Sequence, residues 1–592
     1  MNKILIFIST LVLFLSIRHS VFAQTVITID PAVSYQTMTG WEATDYGNQI
    51  DPNFSQFQNS MLNVVVNSGG INRIRMEIKS GAENSTDNWQ LWANAGFPTI
   101  RGTNPLTVYE NWRCTRYATV NDDSNPFSVD SYIQSNPTSQ SVPGFHFSEM
   151  DNVIDKIVLP MKQRVEANGE KLHINLNYVA FTGQITAAGC PAGTYIHDAV
   201  VNNRREEYAE FMLATLFHLK NKYSISPDTI EIFLEPDNVG QWNNGAKLAE
   251  GLVAIQERLT THSFVNPKPT YIVPSTTSMA NAVPYFDGLT DRIRVLKGYS
   301  QSVACSQTPA CKQYVTDNIL ELSYHRYQGV SDANLIAIQN KAKAYGIKTS
   351  MIECWTNAGC LNGYIVLHRD IKLGYNSGWQ DNAVYGIYAA SSNQLSSEAK
   401  YVSHYFKHVR VGAVRVGATT SNCSDDQYCT SSYDPLAFRN TNGLYTVVMK
   451  VNSSSSSSYA VNGLLAGTYG MRYIQNSNCT DTASANQATP IVEQVLADQV
   501  ITSGQTITGT MPGCGVVTVY GKTNPTPTQQ SSPTPTPKLG DTNDDGSVNL
   551  TDLSTVLSNF GKGSQAWING DFNRDGSVTL ADLSTLLSNF GK

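Results

Sequence analysis

No run of basic residues occurs anywhere in the chain, so nothing stands ready to neutralise a nucleic-acid backbone. CxxC spacing is absent too, which removes the usual frame for a structural zinc. Beyond the N-terminus, no apolar stretch reaches the ~20 residues that a membrane-spanning helix needs. No Gly-rich phosphate loop follows the first apolar strand, which weighs against a doubly wound nucleotide-binding sheet. Charge is sparse, at 15% of residues, while hydrophobic residues make up 41%. That is the composition of folded modules rather than of disorder. A chain of 592 residues is too long for one core, so several domains follow. The net charge is −7, from 41 basic and 48 acidic residues, and part of it is local. Residues 539–592 carry seven Asp against two Lys and one Arg, as a small cation-binding module would.

The N-terminus reads as an export signal over residues 1–23. Lys3 supplies positive charge, Ile4 to Ile17 form a short apolar core, and Val21-Phe22-Ala23 ends on a small residue. The expected location is secreted, extracellular or tethered to a cell surface, with no transmembrane segment once the signal is removed. Ten cysteines in an exported chain suggest disulfides. Cys305/Cys311, Cys354/Cys360 and Cys423/Cys429 each close a short polar loop. Cys479 and Cys514 are expected to staple one later domain, which leaves Cys114 with Cys190.

Residues 524–538, NPTPTQQSSPTPTPK, form a Pro/Thr linker, because regularly spaced proline favours extended polyproline II. Upstream, short apolar runs alternate with amphipathic helical segments. The runs are Ile71–Ile78, His173–Leu176, Ile230–Phe233, Tyr271–Val273, Ile319–Ser323 and Thr349–Ile352. Between them lie helical patterns such as Glu149–Glu166, Arg204–Lys222 and Ala333–Ala344. This alternation predicts a (β/α)8 TIM barrel over residues 24–405. From residue 406 the helical period fades. Val409–Val416, Leu444–Val451, Gly467–Gln475 and Val516–Tyr520 predict an all-β sandwich over residues 406–523, which Val26–Asp30 is placed to join.

The C-terminus repeats itself. Residues 541–552 read DTNDDGSVNLTD and residues 571–582 read DFNRDGSVTLAD. Each sets oxygen donors at positions one, three, five, seven, nine and twelve, with glycine at six for the sharp turn, as calcium requires. The first loop offers Asp541, Asn543, Asp545, the Ser547 carbonyl, Asn549 and Asp552. The second offers Asp571, Asn573, Asp575, the Ser577 carbonyl, Thr579 and Asp582. Each loop runs directly into a helix, with none leading in. This duplicated loop–helix unit resembles the dockerin family across residues 539–592, a small α-helical module. The resemblance implies two calcium ions and a cohesin-type scaffold or surface partner. Leu550-Thr551 and Leu580-Ala581 stand where familiar dockerins carry a Ser-Thr pair.

A barrel enzyme places its chemistry at the C-terminal ends of its strands. Residues 230–238, IEIFLEPDN, put Glu235 after one apolar strand, and residues 349–355, TSMIECW, put Glu353 after another. Between them, LSYHRYQ sets His325 and Tyr327 at a third strand end. Two carboxyl groups so placed suit glycoside hydrolysis, which needs a proton donor and a nucleophile or base.

The set resembles retaining glycoside hydrolases with an acid/base on strand four and a nucleophile on strand seven, and family 30 most closely. YQTMTGWEAT at 35–44, RMEIKS at 75–80, EPD at 235–237, HRY at 325–327 and YFKHVRVGAVRVGAT at 405–419 carry the likeness. The resemblance implies that Glu235 is the acid/base and Glu353 the nucleophile. It gives Tyr327 a hydrogen bond to Glu353, Arg75 the role of holding that residue's charge, and His325 a place lining the sugar pocket. Trp355, beside Glu353, and Trp242 and Trp379 are candidates to stack on sugar. Leu234 stands where the resembled enzymes carry Asn, and Asn177 near the end of strand three is the candidate to replace it. The implied activity is retaining, endo-acting cleavage of O-glycosyl β-bonds in a plant or microbial polysaccharide, with no cofactor for catalysis. The alternative is a catalytically silent carbohydrate-binding component of a dockerin–cohesin assembly.

Overall fold

The computed structural model describes residues 24–98, 112, 125–179, 205–238, 244–354, 363–430, 432–480, 490–523, 538–543, 547–563, 565–573 and 575–591. The export signal, nearly all of the linker, Cys114, Cys190, Cys360, Trp242, Trp355 and Asp545 lie outside these residues. The chain divides into two compact units, Met1–Asn524 and Pro525–Lys592.

Eight parallel strands close a barrel in the first unit: β1 Gly40–Thr44, β2 Arg73–Lys79, β3 His173–Val179, β4 Thr229–Glu231, β5 Thr270–Ser278, β6 Ile319–Gln328, β7 Lys348–Glu353 and β8 Asn376–Ala383. Trp41 on β1 pairs with Trp379 on β8 to complete the ring. Alternation along β2 sends Ile74, Met76 and Ile78 to one face and Arg73, Arg75, Glu77 and Lys79 to the other. The polar face is the barrel interior. Arg73 is fully buried there, pairing with Glu42 at 3.2 Å and Glu321 at 2.8 Å from the facing strands. Burial raises the Glu321 carboxyl, but the charge and hydrogen bonds of Arg73 outweigh it and hold that group at about 2. Glu42 shares the same arginine less well, and burial pushes it up to about 7.

Some surrounding helices are buried on nearly every side, as Arg205–Tyr223 is from Glu207 to Leu219, and others bury one stripe. Asp332–Tyr345 is capped by the Ser331 hydroxyl and ends at Gly346, whose φ of 72° is left-handed. It turns Leu335, Ile338, Ala342 and Tyr345 inward, a helical spacing.

The all-β module is one nine-stranded sheet. Its N-terminal strand, Thr25–Thr37, runs antiparallel to Val414–Thr419 and parallel to Ser457–Asn462. A core of Ile27, Val416, Val447, Tyr459, Met511 and Val517 fills one side of the sheet. On the other side, Phe438, Val448, Ile474 and Val516 merge with the barrel core. Helix Ser397–Phe406 lies at that junction, with His404 Nδ1 2.7 Å from Thr518 Oγ1. Disulfides join Cys305 to Cys311, Cys423 to Cys429 and Cys479 to Cys514, and Cys354 is also disulfide-bonded.

In the second unit, helices Leu550–Asn559 and Leu580–Asn589 enclose Val548, Val556, Phe572, Val578 and Leu586. Asn549 and Thr579 cap them, each in a capping box with the Asp three residues on. Among the described residues, no helix is long and apolar enough to cross a membrane.

Candidate active site

Beyond the end of β4 at Glu231, the chain passes through Glu235 into the short 3-10 helix Pro236–Asn238. Asp237 fastens that turn to β5, accepting from the backbone N–H of Thr277 at 2.7 Å and Ser278 at 3.0 Å, and from Asn281 Nδ2 at 2.9 Å. Glu235 itself has a φ of 50°, a left-handed value that a non-glycine residue holds only when its surroundings enforce it. Its backbone N–H donates to the Ser275 carbonyl at 3.1 Å. The buried side chain meets His325 Nδ1 at 3.0 Å through Oε1 and accepts from Asn238 Nδ2 at 2.9 Å through Oε2.

Across the barrel, Glu353 ends β7. Its Oε2 accepts from Arg75 Nη1 at 2.5 Å and its Oε1 from the Tyr327 hydroxyl at 2.8 Å. Burial raises the Glu353 carboxyl, but the charge on His325, then Arg75, then the two hydrogen bonds outweigh it and hold it at about 2. His325 is fully buried rather than open to a pocket. Burial pulls its pKa down, yet the Glu353 charge and the contact with Glu235 raise it on balance. A carboxylate oxygen of Glu235, a ring nitrogen of His325 and a carboxylate oxygen of Glu353 lie within 4.8 Å of one another. Arg75 already supplies this group with a counter-charge, so an added cation would compete with it.

Two residues that the sequence reading passed over complete the network. Glu231 on β4 takes Arg75 Nε at 2.7 Å and Nη2 at 2.5 Å, a two-bonded ion pair with no exposure. Ser275 on β5 donates its hydroxyl to Glu231 and lies 3.1 Å from His325 Nε2. A signal for Glu231 exists: it is a charged residue inside the apolar run IEIF, two and four residues from Phe233 and Glu235. Ser275 has no comparable mark.

Asn177 is buried in register with Glu77 and Glu231, and neither side-chain polar atom has a hydrogen-bond partner among the described residues. Leu234 is half-buried, its N–H donating to the Tyr178 carbonyl at 3.1 Å. Trp379 is in the core, its Nε1 donating to Asp370 at 3.0 Å, so it is not a sugar platform. Beside the ends of β1 and β2, Asp45 accepts from the Glu77 N–H at 2.9 Å, and burial with the Glu77 charge pushes Asp45 up to about 7. A neighbouring pocket is lined by Glu77, Lys79, Trp89, Trp112 and His146.

The C-terminal loops present oxygen donors. Asp541 and Asp571, at position one of each loop, are 2% exposed, and Asp552 and Asp582, at position twelve, are fully buried. In the second loop Asp571 accepts from the Gly576 N–H at 2.8 Å and the Asp575 N–H at 3.2 Å, which winds the loop around it. Four buried carboxylates around a five-residue apolar core, with oxygen ligands alone, fit a hard cation.

The fold has neighbours among solved structures, and the C-terminal loops match a known domain. Its neighbours among solved structures are glycoside hydrolase family 30 xylanases and related (β/α)8 glycoside hydrolases. A GH30 endoxylanase from Clostridium papyrosolvens C71 is similar at 14% identity and a TM-score of 0.50, over 84% of this chain and 100% of that one. SrfJ from Salmonella typhimurium is similar at 11% identity and a TM-score of 0.50, over 84% of this chain and 93% of that one. Curated protein sequences give no match. Residues 539–590 match the dockerin type I domain, so the chain ends in a dockerin, a domain that generally binds calcium and pairs with cohesins.

Proposed function

We propose that this protein is a secreted, retaining glycoside hydrolase that cleaves β-glycosidic bonds within a plant or microbial polysaccharide. The observation that carries the reading is the pair Glu235 and Glu353. Their oxygens approach within 4.8 Å and their surroundings are opposite in kind. Glu353 is held as a carboxylate by Arg75 and Tyr327. Glu235 shares a contact with a histidine that can hold or return a proton. Retaining enzymes set their carboxyls ~5–5.5 Å apart, whereas inverting enzymes leave ~6.5–9.5 Å for a water.

Glu353 attacks the anomeric carbon while Glu235 protonates the departing glycosidic oxygen, and a covalent glycosyl–enzyme forms. Glu235, now a carboxylate, takes a proton from water. The resulting hydroxide character attacks the same carbon and releases Glu353. Asn177 faces this centre with unmet hydrogen-bonding capacity that suits a sugar hydroxyl. Trp355 is kept as a stacking candidate. The aromatic and charged pocket beside β2 would extend the substrate path. The C. papyrosolvens neighbour is an endoxylanase, so β-xylan is the first polymer to test, with endo action preferred.

In this reading residues 1–23 direct export, 24–405 form the catalytic barrel apart from the strand Thr25–Thr37, which joins the β-sheet module of 406–523, 524–538 form the linker and 539–592 the dockerin. Two calcium ions hold the dockerin loops, through Asp541, Asn543, Asp545, Ser547, Asn549 and Asp552, and through Asp571, Asn573, Asp575, Ser577, Thr579 and Asp582. Catalysis needs no cofactor. Leu234 is the one feature favouring a silent binding component. Incubating wild type and Glu353→Gln with β-xylan and β-glucans separates the readings. New reducing ends with wild type alone support hydrolysis, while binding without cleavage by both supports the silent component.

A further inference from the structure

Ser275 occupies a guarded position. Its φ of 61° is left-handed, its N–H donates to Ser323 Oγ at 3.1 Å and its carbonyl holds the Glu235 backbone. Its hydroxyl has one hydrogen, and that hydrogen goes to Glu231. Glu231 is an ion-pair partner of Arg75, so its oxygens only accept. The Ser275 oxygen therefore meets His325 Nε2, 3.1 Å away, as an acceptor. Nε2 must then carry hydrogen. In neutral His325 the lone pair falls on Nδ1, which faces Glu235 Oε1 at 3.0 Å.

We propose that Ser275, held by Glu231, is a positioning residue that fixes His325 as its Nε2–H tautomer and so keeps one proton in the Glu235–His325 contact. This rests on the reading of Glu235 as acid/base. The proton sits on the carboxyl or on Nδ1, and either form satisfies the hydrogen bond. The contact acts as a reservoir that returns a proton to Glu235 as the leaving group departs. The groups facing His325 are Glu235 from the end of β4, Glu353 from β7, Arg75 from β2 and the Tyr327 ring at 6.0 Å, with Glu231 acting through Ser275. Their balance favours the protonated ring, as a reservoir requires.

The test is 15N NMR of histidine-labelled full-length protein, with the His325 signal assigned by its loss in His325→Gln, alongside the pH dependence of kcat/KM. Wild type should show a protonated Nε2 and, once neutral, an unprotonated Nδ1. Ser275→Gly removes the hydroxyl and suits the left-handed backbone. Loss of an acceptor from the imidazolium should ease release of the shared proton. The alkaline limb should then move about one pH unit lower, with KM little changed. Ser275→Ala should agree in direction. A neutral wild-type ring protonated on Nδ1 overturns the proposal, and so does an unmoved alkaline limb in a natively folded Ser275→Gly. The tautomer is read without substrate. Full activity in Glu235→Gln would therefore overturn the acid/base reading, and the catalytic purpose given to Ser275, without touching the tautomer result.

Discussion

Arg75 Nη1 lies 2.5 Å from Glu353 Oε2, and the rest of the same guanidinium is spent on Glu231. One buried cation thus serves two carboxylates, the fully buried Glu231 and the partly buried Glu353. Removing it should cost more than a lost contact, because both acids would lose their counter-charge. Arg75→Met should destabilise the barrel by about 3–5 kcal/mol, the usual penalty for breaking a buried pair from one side. Urea denaturation followed by tryptophan fluorescence measures this. Arg75→Lys keeps the charge but not the three-pronged geometry, and should fall between wild type and Arg75→Met.

Acid should unfold the barrel through these pairs. Glu353 and Glu321 are each held at about 2, below the ~4.3 of an unfolded Glu. A carboxyl lowered in the folded state stabilises above its unfolded pKa and loses that contribution as pH falls through its folded pKa. The thermal midpoint should therefore drop between about pH 4.3 and 2, and Glu321→Gln should flatten that slope. Asp45 and Glu42, raised to about 7, act the other way, costing stability as pH climbs from about 4 to 7. The window below pH 4 thus isolates the ion-paired acids.

Much of this was readable in the sequence, for a physical reason. Glu235 and Glu353 each follow an apolar run, and a charged group there has no place in a core. The barrel interior was harder to read because it is polar. His173, Asn175 and Asn177 alternate with Ile174, Leu176 and Tyr178, so β3 shows half its residues as hydrophilic and its apparent run ends early. β8, NSGWQDNA, contains no apolar run at all and gives no strand signal. Glu231 and Ser275 escaped because their partners come from other strands, and no spacing along the chain encodes that meeting. The dockerin loops were plain because calcium ligation fixes residue types at set positions within twelve residues.

Asn177 offers a narrow test of substrate contact. It is buried, and its amide has no hydrogen-bond partner among the described residues. If it replaces the Asn absent at Leu234, Asn177→Ala should lower turnover sharply on a normal glycoside by removing a hydrogen bond to the 2-hydroxyl. It should change little on the 2-deoxy analogue, where that bond is already missing. Equal losses on both substrates would assign Asn177 to the scaffold instead.

Calcium should fold the dockerin. Asp541, Asp552, Asp571 and Asp582 are buried together with little apolar core to hold them. Residues 539–592 alone should gain helical circular dichroism when calcium is added and lose it in chelator. Hydrolysis by the barrel should survive the same chelator.

The stereochemistry of the first product tests the central claim most directly. One oxygen of each carboxylate lies within 4.8 Å of the other, a close approach that fits a retaining pair better than an inverting one. Proton NMR during hydrolysis of a β-linked glycan should show the β-anomer first, with the α-anomer appearing only by later mutarotation. Under the same conditions Glu235→Gln should lose about 10²–10⁴-fold in turnover, and Glu353→Gln should form no glycosyl–enzyme. A first product that is the α-anomer would contradict the account.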